Sequence, residues 1–268
     1  MIDTNALFDL QGRTAIVTGG AGILGTHFCE ALAACGANVV IADRDAKAAE
    51  SLAAKLPGRP LAFAIDLARE EEIAAMAKAV QARYGCIDIL HNNAATKTSD
   101  LERYFDPVEK YDMNIWSEVM RVNIDAMFMT AKHIGAAMAR QGRGSIIQTA
   151  SIYGVMAPDQ RIYKGSEYLG HEINTPAVYS ASKAAVVGFT RYLATYWAAS
   201  GVRVNALTPG GVESGQNETF KQNYGSRVPL GRMARATEMI GALIFLASDA
   251  SSYVTGQNII VDGGLSVW

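Results

Sequence analysis

Hydrophobic positions along the chain follow two alternating patterns. Short, nearly continuous apolar runs rich in β-branched residues occupy 14–18, 38–42, 60–65, 87–91, 144–150, 202–207 and 258–261. Between them lie longer, alanine-rich stretches at 24–35, 45–55, 70–84, 115–140, 177–199 and 237–247, which read as helices. A strand that is apolar throughout is buried on both faces, and strands that each lead into a helix pair in parallel. The pattern predicts an α/β, doubly wound architecture: one seven-stranded parallel sheet with helices on both faces. No repeat, low-complexity block or Pro/Gly/Ser-rich linker interrupts it, so residues 1–268 are expected to form a single domain. Two polar segments break the rhythm, "YGVMAPDQRIYKGSEYLGHEINTP" at 153–176 and a Gly-, Asn- and Gln-rich stretch at 211–235 that follows Pro209. Connections this long in a compact domain are expected to cover a substrate.

Composition narrows the possible partners. Half the residues are hydrophobic and 19% are charged, enough for a substantial core, and the formal charge of −2 with no basic run argues against nucleic acid. No 18-residue apolar stretch and no basic, apolar leader occur, so no membrane partner and a cytoplasmic location are expected. Cys29, Cys35 and Cys86 lack the spacing of a disulfide framework or a metal site. They are read as reduced thiols. His27, His91 and His133 read as packing residues, nothing near His171 completes a ligand set, and no metal is expected.

The first strand runs into "TGGAGILG", residues 18–25, and then into a helix. As G-x-G-x-x-G the glycines are Gly20, Gly22 and Gly25. They would allow a tight turn, close approach of backbone to a pyrophosphate, and close packing of helix on sheet, respectively. This is the Rossmann arrangement. Gly19, Gly22, Ile23 and Leu24 are the candidate phosphate contacts. The second strand ends at Asp43, 18 residues beyond Gly25, where a carboxylate can accept bonds from both adenosine ribose hydroxyls and repels a 2′-phosphate. NAD is therefore favoured over NADP, although the adjacent Arg44 offsets part of that repulsion. Asp66 and Leu67 after the third strand are candidates for the adenine. Asn92, Asn93 and Ala94 after the fourth form a small-residue wall where the cofactor must pass.

"VYSASKAAVVGFTRYLA" places Tyr179 and Lys183 one helical turn apart on one face of an otherwise apolar helix. The pair alone is a weak motif. The ordered set "TGGAGILG", Asp43, Asp66, "NNAA", "VNIDAMF", "SIIQTAS", "YSASK", "RVNALTPGGVES" and "SSYVTGQNIIVDGG" resembles the short-chain dehydrogenase/reductase family, compact single-domain branch, over essentially the whole chain.

That resemblance implies a chemistry residue by residue. Tyr179 would be the general acid/base, Ser151 would fix and polarise the reacting oxygen, and Lys183 would favour the phenolate and hold the nicotinamide ribose. Asn123 would kink a long helix and hold a water leading from Lys183. Pro209, Gly210, Val212 and Ser214 would pass beneath the nicotinamide. It also implies a homotetramer or homodimer joined through the 114–140 and 177–199 helices.

Two features depart from the compact branch. Ile23 stands where its middle glycine belongs, giving a spacing closer to the longer branch that contains sugar-nucleotide epimerases. Ser151 and Tyr179 are 28 residues apart, about twice the usual gap. The inserted hydroxyl-, charge- and amide-rich residues suit a polyol or sugar ring, with Tyr153, Arg161, Tyr163, Gly211 and Glu213 as candidate substrate contacts. The expectation is an NAD-dependent oxidoreductase acting on a secondary alcohol or ketone of a carbohydrate-like small molecule. An NAD-retaining epimerase and a non-catalytic NAD-binding sensor are the alternatives.

Overall fold

The computed structural model describes residues 3–268. Seven parallel strands form the sheet: β1 (Thr14–Thr18), β2 (Asn38–Asp43), β3 (Leu61–Ala64), β4 (Ile89–Asn92), β5 (Gly144–Thr149), β8 (Val202–Pro209) and β9 (Asn258–Val261). Their spatial order is β3-β2-β1-β4-β5-β8-β9. Pairing register runs Val17 to Ile41 on one side of β1 and Val17 to His91 on the other. The order reverses between β1 and β4, and in such sheets the crevice at the carboxyl ends of the reversing strands is where ligands bind.

Successive strand residues enter opposite cores, which is why the runs are apolar without alternation. Ile16, Val40, Leu90, Ile146 and Val204 pack against the Glu70–Tyr84 helix, a long helix over 113–141 and the Ala177–Trp197 helix. Their neighbours Val17, Val39, Ile41, Ile89 and Ile147 pack on the other face against Ile23–Ala34 and Ile240–Ala247. Local signals set the helix ends. Asp45 caps Ala46–Ala53 by accepting from the Ala48 N–H at 3.0 Å. Glu70, Glu71 and Glu72 crowd the first turn of their helix, complementing its dipole.

Several boundaries differ from expectation. β4 begins two residues late, at Ile89, and β8 continues two residues to Pro209, while β2 ends at Asp43 as expected. The long helix widens twice into π-helical turns, at Arg121–Asp125, which contains Asn123, and at Ala131–Gly135. Each of the polar segments also carries structure of its own. Residues 153–176 hold a small antiparallel hairpin, β6 (Glu167–Tyr168) with β7 (His171–Glu172), and the second segment holds a helix, Glu218–Gly225. The two segments share a separate apolar cluster of Ile152, Ile162, Tyr163, Phe220, Tyr224, Val228, Met233 and Leu265. Among the described residues no helix is long and apolar enough to cross a membrane.

The first βα turn depends on a missing side chain. A Cβ at Gly25 would lie 2.0 Å from the Gly19 carbonyl oxygen and 2.8 Å from the Gly20 Cα, both backbone atoms that the sheet holds in place. Gly25→Ala is expected to destabilise the fold by about 1–3 kcal/mol, a Tm drop of roughly 3–10 °C in thermal unfolding. An unchanged Tm would mean that the turn can relax.

Candidate active site

A cavity of about 660 Å³ opens at the carboxyl ends of the strands, where the sheet order reverses. At one end the β1 turn and the end of β2 are stitched together. The Gly19 N–H donates to the Ala42 carbonyl at 2.8 Å, and Asp43 accepts from the N–H groups of Ala21 and Asp45, each at 3.0 Å. Gly19 and Gly20 both lie in the turn; Gly19 takes up left-handed backbone (φ 60°), and a Cβ at Gly20 would meet the Ile41 side chain at 3.0 Å. Gly22 leads into Ile23–Ala34 without a side-chain cap, and Ile23 and Leu24, in the first turn of that helix, line the cavity. Across the crevice, the Thr18 hydroxyl accepts from the N–H groups of Asn93 and Ala94 (3.0 and 3.1 Å). The Asn93 amide donates back to the carbonyls of Thr18 and Gly19.

At the other end Tyr179 and Lys183 face the cavity from the Ala177–Trp197 helix, as their spacing required. Lys183 is buried, and its ammonium donates to the Thr149 carbonyl at 2.8 Å. Burial lowers its pKa to about 8 and raises that of the Tyr179 phenol; the Ser151 hydroxyl works against the latter rise. Ser151 lies two residues past the end of β5 and accepts from the Tyr153 N–H at 3.3 Å, opening a short turn. That turn lies hard against the helix. A Cβ at Gly154 would come within 2.5 Å of the Lys183 carbonyl group, so Ser151 reaches Tyr179 however long the intervening loop.

Asn123 sits behind this wall, buried in the first π-helical turn. Its Oδ1 accepts from the Thr96 N–H at 3.0 Å and its amide donates to the Ser182 hydroxyl at 3.2 Å. The water-holding role expected of Asn123 must share the side chain with these two bonds.

Most of the sequence-derived cofactor candidates, all but Gly20, Gly25 and Asn92, line this one cavity: Gly19, Gly22, Ile23, Leu24, Asp43, Arg44, Asp66, Leu67, Asn93, Ala94, Tyr179, Lys183, Pro209, Gly210, Val212 and Ser214. Asn92 does not line it, because its amide is spent on Gln148 and Thr130 inside the protein. Of the substrate candidates, Tyr153, Tyr163 and Gly211 line it and Arg161 and Glu213 do not. Arg161 is exposed and held bidentately by Asp159, both bonds at 2.8 Å. Glu213 is exposed, its N–H tied to the Ala234 carbonyl. The Tyr163 hydroxyl bonds the Thr175 hydroxyl and donates to that of the half-buried Tyr153 at 3.3 Å, forming a row of hydroxyls.

Sequence reasoning missed Lys97, Asn174, Thr175, Phe220, Tyr224 and Met233, which also line the cavity. Asn217 capping the Phe220 N–H at 3.0 Å, with apolar Phe220 and Tyr224 four apart, was a legible helix signal. Lys97 carries no local signal.

A family sequence model described as enoyl-(acyl carrier protein) reductase matches residues 19–266. A galactitol 2-dehydrogenase (L-tagatose-forming) from Cereibacter sphaeroides is 35% identical over 280 residues, covering all of both chains. The chain belongs to the short-chain dehydrogenase/reductase family. Solved members superpose closely on it. A gluconate 5-dehydrogenase from Burkholderia cenocepacia, in complex with NADP and tartrate, matches with a TM-score of 0.87 and 31% identity, over 99% of this chain and all of that one. A short-chain dehydrogenase from Leptospira borgpetersenii with bound NAD+ gives 0.85 and 32%, over 100% and 98%. The family places a nicotinamide dinucleotide in such a crevice, and this short-chain dehydrogenase/reductase has the matching cradle in Gly19, Gly22 and Gly25, where no Cβ occupies the turn.

The Lys183 shift has a definite sign. The folded protein releases this proton near pH 8 and the unfolded chain near 10.5, so between those values the unfolded chain holds more protons. The burial cost is felt in full below about pH 8 and disappears as pH rises to 10.5. Denaturant unfolding across that window is expected to show wild type gaining stability relative to Lys183→Met. A relative loss would mean that the fold stabilises the ammonium.

Proposed function

We propose that this protein is an NAD-dependent dehydrogenase or reductase that interconverts a secondary alcohol and a ketone on a carbohydrate-like substrate. The observation that carries the reading is the convergence of Ser151, Tyr179 and Lys183 in the cavity that Asp43 also lines. A bound nicotinamide dinucleotide supplies the hydride acceptor or donor. Asp43 accepts from the adenosine ribose hydroxyls and disfavours a 2′-phosphate, while Arg44 beside it softens that choice. Ile23 and Leu24 present N–H groups to the pyrophosphate, and Asp66 with Leu67 borders the adenine. Asn93 and Ala94 wall the ribose side, and Gly210, Val212 and Ser214 border the carboxamide.

At the chemical end the Tyr179 hydroxyl exchanges the proton of the substrate oxygen. Burial raises the pKa of its phenol and the Ser151 hydroxyl works against that rise; an ammonium such as that of Lys183, one helical turn away, favours the phenolate. Ser151 also donates to the reacting oxygen and fixes its position. Asn123 links the loop after β4 to the helix of Tyr179 through Ser182, whose hydroxyl donates to the Tyr179 carbonyl at 2.9 Å. The hydroxyls of Tyr153 and Tyr163 offer the paired donors and acceptors that a polyol requires. The galactitol and gluconate dehydrogenases among its relatives support that substrate class.

The reading includes assembly as a homodimer or homotetramer through the two long helices, whose Phe128, Tyr192 and Tyr196 are left exposed. Light scattering is expected to give a multiple of the chain mass; a monomer would remove this part.

The central test is NADH formation with sugars, polyols and sugar acids, using NAD and NADP in parallel. Tyr179→Phe is expected to lower kcat/KM by about 100-fold or more while NAD still binds. Asp43→Ser is expected to shrink the preference for NAD over NADP by about 10–100-fold. Full activity in Tyr179→Phe would end the acid/base assignment. NAD carried through purification with no net NADH would favour an epimerase.

A further inference from the structure

The cavity is electrically uneven. Its acidic lining residues, Asp43, Asp45 and Asp66, all stand just at or beyond the ends of β2 and β3, on the nucleotide side. Among its cations, Arg44 stands with them, and Lys183 is buried on the Thr149 carbonyl. Lys97 is different. It lies in the loop after β4, one residue past the Thr96 N–H that Asn123 holds, and its ammonium has no carboxylate within ion-pair distance among the described residues.

Lys97 is solvent-exposed, and one aromatic contact orients its ammonium. The Lys97 Nζ stands 3.7 Å from the centre of the Tyr168 ring. Tyr168 belongs to the β6–β7 hairpin, which is itself tied down: Tyr168 bridges to Gln216, and the Asn217 N–H donates to the Glu167 carbonyl at 3.2 Å. Gln216 in turn donates to the Ser214 hydroxyl and the Val212 carbonyl. Glu167 and Glu172 oppose each other across the hairpin, exposed, and neither lines the cavity. The insert therefore holds one unneutralised ammonium at the wall of the substrate end.

The basic residues of the two polar segments are engaged elsewhere or lie outside the cavity. Arg161 and Arg227 both pair with Asp159, and Arg232 pairs with Glu238. Lys164 is exposed and outside the cavity. We infer that Lys97 determines specificity by receiving a carboxylate on the substrate, so that the preferred substrate is a sugar acid rather than a neutral polyol. The inference rests on the carbohydrate reading above. One ammonium matches one carboxylate; a phosphate, with nearly two charges, would meet a single cation and no arginine there.

Matched pairs that differ only at one terminal carbon test this: D-gluconate with D-glucitol, and D-galactonate with galactitol. Calorimetric binding to NAD-saturated Tyr179→Phe protein, in which NADH formation is suppressed, is compared with Lys97→Met and Lys97→Arg made in the same background. At least one acid is expected to bind about 10–100-fold tighter than its alcohol, the size of one charge-assisted hydrogen bond. Lys97→Met should abolish that preference by weakening the acid alone, and Lys97→Arg should restore most of it. No preference for either acid, absence of acid binding included, overturns the inference, as does a preference that survives Lys97→Met. Turnover of neutral alcohols without charge preference sinks the Lys97 role and leaves the dehydrogenase standing. Lys97-dependent acid binding by a wild-type protein that never forms NADH does the reverse.

Discussion

The Lys183 ammonium on the Thr149 carbonyl is the contact on which the working end depends. A lysine buried this deeply is costly, and the bond to the last residue of β5 offsets only part of the cost. It joins the sheet to the helix that carries Tyr179 and thereby sets the rotation of that helix. Ser151, two residues beyond Thr149 in the chain, and Tyr179, one turn before Lys183, are then placed by the same tie. The loss of water around Lys183 that makes the site expensive also brings its titration close to neutrality.

The layered fold was legible because local periodicity and burial coincide. β1 occupies the expected residues, and the other sheet strands differ from expectation by at most two residues at either end. Each apolar run feeds two cores at once, leaving a slipped register nowhere to place its side chains. The nucleotide half of the site was legible for a related reason. Its residues sit at strand ends and in the first βα turn, where position along the chain fixes position in space. The glycine pattern located the turn, but it does not say which of the two adjacent glycines, Gly19 or Gly20, adopts the left-handed conformation.

The substrate half was not legible to the same degree. Arg161 looked like a ligand-binding cation and is an ion-paired surface residue, because its partner Asp159 lies only two positions away and captures it first. Lys97 looked like any loop lysine. Its setting depends on Tyr168, remote in sequence, and on a hairpin whose two-residue strands are too short to show a period. Charged residues acquire meaning from tertiary neighbours, and single-chain patterns do not contain them.

The small apolar cluster beneath the insert has a consequence for how such a protein changes over time. Ile162, Tyr163, Phe220 and Tyr224 join the two polar segments to each other, apart from the two clusters that stabilise the sheet. The mouth is thus a module with its own foundation. Substitutions there can retune what enters without drawing on the stability of the nucleotide-binding frame, so molecular preference and architectural integrity are free to diverge at different rates.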